Sequence, residues 1–105
     1  MQQFDIYWVN LDPTVGAEIQ KTRPCVIISP NELNHLNTRL IASITSKSFN
    51  APYRISLVLL DKKAKILCDQ IRCISIQRFS HKITTLDPKI AQQLSLTLCE
   101  MFALN

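Results

Sequence analysis

A single glycine, Gly16, serves the whole of this 105-residue chain. That scarcity excludes a glycine-rich phosphate loop and any flexible glycine linker. No apolar run approaches the eighteen or so residues of a membrane span, and the opening residues MQQFD carry no signal-peptide pattern. The expectation is a soluble, cytoplasmic protein with no membrane partner. Cys25, Cys68, Cys73 and Cys99 form no C-x-x-C pair, and the Cys68/Cys73 spacing does not suit a zinc knuckle. Cys25 and Cys99 sit inside apolar patterns, where free cysteine behaves as a small hydrophobe, so reduced thiols are expected. His35, in a polar loop, and His81, placed before a short strand, have no carboxylate or cysteine at a ligand spacing. With no Ser–His–Asp or metal constellation, neither metal nor cofactor is expected. No repeat, low-complexity tract or boundary divides the chain, which reads as one domain over 1–105.

What the chain does contain is a 47% hydrophobic fraction with mixed charge, the composition of a globular domain. Twelve basic against eight acidic residues give a net charge of +4, a balance that suits nucleic acid but is shared by many small proteins. FDIYWVNL reads as a strand ending at Asp12-Pro13, and CVIIS as a short buried strand. SPNELN carries a capping box, with Ser29 as N-cap, Pro30 at the first helical position and Glu32 three after the cap. LIASIT (40–45) is a third strand, and Tyr53, Ile55, Leu57 and Leu59 alternate on one face of a fourth. Asp61-Lys62-Lys63 reads as a turn, and KILCDQI and RCISI as two short strands. Asp87, Pro88 and the repeat Ile90, Leu94, Leu98, Met101, Phe102 mark a C-terminal helix. The fold class is mainly β, a small and strongly bent antiparallel sheet or barrel with that helix packed on it.

The stretch LDPTVGAEIQKTRP (11–24) carries the most chemistry. Gly16 permits a sharp turn or a close approach of ligand to backbone. Glu18, Lys21, Thr22 and Arg23 follow where the chain re-enters the sheet, and Pro24 with CVIIS gives Arg23 a firm base. Its planar fork of donors matches phosphate oxygens, although an ordinary surface arginine would look the same.

At P-x-x-G-x-E-x-x-x-x-R-P (Pro13 to Pro24), at SITSK and at LCDQIRCISIQRF, the sequence resembles the MazF/PemK/Kid family of type II toxins. The similarity spans roughly Phe4 to Phe102. It implies an SH3-like antiparallel β-barrel with a C-terminal helix, assembled as a homodimer. It further implies a metal-independent, sequence-specific endoribonuclease acting on single-stranded messenger RNA. In such enzymes the ribose 2′-hydroxyl attacks the adjacent phosphate, leaving a 2′,3′-cyclic phosphate and a 5′-hydroxyl. The partner implied besides RNA is a cognate antitoxin whose acidic, disordered tail lies across the RNA site.

By the same resemblance Arg23 is the catalytic arginine, and stabilising the phosphorane is the role that fits its chemistry. As a base it is awkward, since a guanidinium stays charged in proteins. Thr45 matches a strand-end Thr/Ser that donates to the phosphate or relays a proton. Glu18 is either the base or a brace that orients Arg23. Asp69, Gln70 and Arg72 match a D-Q-I-R segment. Asp69 is open to acid–base work or RNA positioning, and Gln70 to a structural role or base contact. Strand alternation sets Asp69 on one face and Gln70 with Arg72 on the other, so a shared site would need a bulge. Some members carry a histidine before the glutamate and an arginine two before the aspartate; here those positions are Ala17 and Leu67.

RNA contacts are expected from Lys21, Thr22, Ser46, Lys47 and Arg54 around the site. Phe49 either stacks on a base or plugs the barrel end. Lys62, Lys63 and Lys65 read as a solvated hairpin tip. Two other readings remain at the sequence level. One is a CcdB-like gyrase poison, although the Gly-Ile tail such binders use is absent from MFALN. The other is a catalytically silent antitoxin-binding module.

Overall fold

The computed structural model describes residues 1–11, 22–47 and 50–104. Six strands and one helix follow in order: β1 (Asp5–Asn10), β2 (Thr22–Ile27), β3 (Thr38–Thr45), β4 (Arg54–Leu59), β5 (Lys62–Ser75), β6 (Phe79–Thr85) and α1 (Pro88–Met101). Single 3-10 turns cover Asn31–Leu33 and Ile76–Arg78. The strands form one antiparallel sheet in the order β4-β5-β3-β2-β1-β6. It curls into a half-barrel, as the sequence implied.

The central strands read as continuous apolar runs because both of their faces are covered. On one face Ile6, Val26, Ala42, Ile44, Ile55 and Ile66 pack with Ala91 and Leu94 of α1. On the other, Val9, Cys25, Ile27, Ile41 and Ile74 lie beneath Tyr7, Leu11 and Phe79. Leu94 is fully buried, and Ile90, Leu98 and Met101 pack at its sides. Phe102, expected in the same stripe, is exposed because α1 ends at Met101. Asp87 caps α1 as expected, accepting from the Lys89 amide at 2.8 Å.

Several local expectations are corrected. Ser29 caps nothing: it is buried, and its Oγ accepts from the Leu40 amide at 3.2 Å, tying the end of β2 to β3. The turn before β5 falls one residue earlier, at Leu60 and Asp61, which have φ of 51° and 61°. Positive φ at both central residues is the mark of a type I′ hairpin, here made without glycine. The two short strands expected over 65–76 are one strand of fourteen residues. Cys99 is exposed, whereas Cys68 shares the interior with Cys25. His81 lies within β6.

β5 is long because it bends. Ala42 pairs with Ile71 and Ile44 with Ile66, so β5 advances five residues while β3 advances two. The surplus over 67–70 is a bulge, which turns the strand and lets the sheet curl. It falls on Asp69 and Gln70.

Candidate active site

β2 begins, and β3 ends, at the same end of the sheet. Cys25 pairs with Ser43, Val26 with Ala42 and Ile27 with Ile41. Carrying that register outward by two residues sets Arg23 opposite Thr45 on one face. The base beneath Arg23 is firm. Val9, its partner on β1, is fully buried, and the Cys25 thiol is directed to the Arg23 carbonyl at 3.6 Å. Burial pushes that thiol up to about 11, while Ser43, Arg72 and Arg23 pull the other way. It therefore stays a neutral, packed group under the arginine.

Thr45 is half-buried, and its Oγ1 accepts from the Lys47 amide at 3.2 Å. That bond occupies a lone pair and orients the rotor, leaving the hydroxyl proton to donate elsewhere. A cavity of about 320 Å³ gathers Thr22, Arg23, Thr45, Ser46, Lys47 and Lys62 over an apolar floor that includes Trp8. Among its described lining residues three are cations and none is a carboxylate. Such a lining suits a polyanion, and apolar groups such as Trp8 and Pro24 lower the local dielectric that would otherwise screen the charges.

Arg54 and Asp69 lie elsewhere. Arg54 Nε and Nη2 each meet an Asp69 oxygen at 3.2 Å, a two-toothed fork. The bond from Arg54 is the main influence that draws the Asp69 carboxyl below its ordinary value. Arg54 is the register partner of Leu67 and lines a separate groove against Gln93, Thr97 and Glu100 of α1. Where some relatives are expected to carry arginine two residues before the aspartate, this chain supplies one from the neighbouring strand. Gln70 is exposed in the bulge and lines neither cavity. Gly16, Glu18, Lys21 and Phe49 lie outside the described residues. Trp8 was legible only as a strand residue, because its place in the cavity depends on four other strands.

A family model described as a PemK-like, MazF-like toxin of type II toxin–antitoxin system matches residues 2–102. The chain belongs to that toxin family. It is 32% identical over 109 aligned residues to Endoribonuclease EndoA of Bacillus subtilis, covering 91% of this chain and 94% of the relative. Endoribonuclease MazF of Staphylococcus saprophyticus is 33% identical over 96, covering 85% and 80%. A mycobacterial endoribonuclease solved in complex with its cognate antitoxin superposes with a TM-score of 0.83 at 15% identity, covering 100% and 97%. That likeness establishes the fold of the toxin. Among the described residues, no cluster of His, Cys, Asp and Glu is arranged to hold a metal ion, and no helix is long and apolar enough to cross a membrane.

Proposed function

We propose that this toxin is a metal-independent endoribonuclease that cuts single-stranded messenger RNA at the Arg23–Thr45 cavity. The observation that carries the reading is the adjacency of Arg23 and Thr45 on paired strands, in a cationic cavity, within a family whose curated relatives are named endoribonucleases. In-line attack by a ribose 2′-hydroxyl concentrates negative charge on the non-bridging phosphoryl oxygens. Arg23 meets that charge with fixed parallel donors, and the Thr45 hydroxyl adds a third. Oriented donors act on the transition state without reorganising, so they raise the rate of the chemical step more than they tighten binding. Glu18 takes the 2′-hydroxyl proton or braces Arg23. Lys21, Thr22, Ser46 and Lys47 track the backbone, Phe49 and Trp8 offer faces to splayed bases, and Gly16 turns the loop. Asp69, Gln70 and Arg54 act outside the reacting centre as contacts to the flanking RNA.

The active form is a homodimer in the cytoplasm. An antitoxin with an acidic, disordered tail would compete for the same lysines and arginine, and the mycobacterial relative solved with its antitoxin supports such a partner. The test is a growth and cleavage pair. Induction of the toxin alone should arrest growth, and the purified protein should cut a diverse single-stranded RNA pool in EDTA. Arg23→Ala should do neither while remaining folded. An untouched RNA pool with wild-type protein would refute the proposal.

A further inference from the structure

We infer that Lys65 forms a second cationic subsite, which binds the phosphate next to the scissile one. The inference rests on the ribonuclease reading above. Lys65 was expected at a solvated hairpin tip, but it stands within β5 as the register partner of Thr45, and Ser56 of β4 is its partner on the other side. Arg23, Thr45, Lys65 and Ser56 therefore form a transverse row on one face of four adjacent strands. At about 4.8 Å per strand, the Arg23 and Lys65 backbones lie roughly 10 Å apart with Thr45 between them. Side chains of that length reach neighbouring phosphates of one strand.

A cavity of about 630 Å³ is lined by Thr45, Ser46, Ser56, Lys63 and Lys65 together with apolar residues of β4, β5 and α1. It shares Thr45 and Ser46 with the Arg23 cavity, so the two lie side by side. The Lys65 stem is half-buried, and its ammonium donates to Asn50 Oδ1, which limits where the head can go. The ion pairs recorded among the described residues, Arg54–Asp69 and Lys82–Asp5, leave Lys63 and Lys65 out. Two lysines two residues apart on one face repel each other, a cost that an anion between them removes. Protection of a sheet edge does not account for them, because β5 is an interior strand flanked by β4 and β3.

The experiment uses full-length protein and an RNA whose cut site has been mapped with the wild type. Binding is measured with a 2′-deoxy residue at the cut, across a salt series, and single methylphosphonates neutralise each flanking phosphate in turn. Lys65→Gln should weaken binding about tenfold and lower the slope of log affinity against log salt by about 0.7. Its kcat at saturating RNA should stay within about threefold, and Lys65→Arg should recover most of the affinity. One particular methylphosphonate should weaken the wild type and leave Lys65→Gln unaffected. If the wild type cuts and binds but Lys65→Gln matches it in affinity and slope, the subsite is refuted alone. Equal losses with every flanking methylphosphonate in both proteins would also refute it. Should the wild type neither bind nor cut RNA, the ribonuclease reading falls and takes the subsite with it.

Discussion

Replacing Thr45 with valine removes one hydroxyl and keeps the shape of the side chain. Two separable losses follow from its place in the structure. The Lys47 amide, 3.2 Å from Oγ1, loses its acceptor at an exposed loop, where water replaces it. That bond contributes about 0.5–1 kcal/mol, so the melting temperature should fall by only a few degrees, roughly 2–8 °C for a domain of this size. The second loss, under the proposed mechanism, is a donor to the phosphoryl oxygen. Deleting one such preorganised donor costs about 3–4 kcal/mol of transition-state stabilisation, a factor of roughly 100 to 1000 in kcat. The prediction is therefore a split: kcat falls by two to three orders of magnitude, KM changes by less than about threefold, and the fold survives. Thr45→Ser, which restores the hydroxyl without the methyl group, should return to within about tenfold of the wild type. The assay is the initial cleavage rate on one mapped RNA over a range of concentrations, with thermal melts run alongside. Thr45→Val cleaving within twofold of the wild type, or Thr45→Ser as inactive as Thr45→Val, would refute the role given to this hydroxyl.

Two further outcomes rest on burial and charge. A maleimide added to the native protein should modify Cys73 and Cys99, which are exposed. Cys25 and Cys68 should react only after unfolding, because burial covers both and raises each thiol to about 11; rapid native labelling of Cys25 would contradict the packed base beneath Arg23. Burial alone would raise the Asp5 carboxyl, but bonds from the Gln2 amide, the Thr85 hydroxyl and Lys82 outweigh it and hold Asp5 below 3.8. A depressed folded value stabilises the protein above the unfolded value, and that contribution disappears as pH falls through the folded one. Asp5→Asn should thus be less stable than the wild type at neutral pH, the gap closing as pH falls through and below the ordinary carboxylate range; a gap independent of pH would show that the carboxylate charge is not what matters.

Elements whose signals are local were legible in the sequence. CVIIS announced a buried strand, LIASIT a strand and Asp87-Pro88 the start of α1, because burial and capping leave marks within a few residues. Arg23 and Thr45 were singled out by their resemblance to the family motif, and their juxtaposition follows from the register of β2 against β3. Signals that needed a distant partner were missed. KILCDQI and RCISI read as two strands, but they are one, in which a bulge absorbs Asp69 and Gln70 and β5 continues past them. Ser29 carried the grammar of a cap, yet the Leu40 amide of another strand took its hydroxyl. Leu60 and Asp61 form their turn with positive φ, a region that leucine ordinarily avoids. Lys65 shows the same limit most plainly, since nothing in LDKKAKIL says which residue of β3 will lie beside it.

The central claim is that Arg23 and Thr45 stabilise attack by the RNA's own 2′-hydroxyl, with no metal taking part. Its most direct test is the chemistry of the product ends, determined for a mapped RNA cleaved in EDTA and for the same RNA with a single 2′-deoxy residue on the 5′ side of the cut. The account predicts a 2′,3′-cyclic phosphate and a 5′-hydroxyl from the all-ribose substrate, and an intact 2′-deoxy substrate. A 5′-phosphate product, cleavage that requires added divalent metal, or cutting of the 2′-deoxy substrate would contradict it.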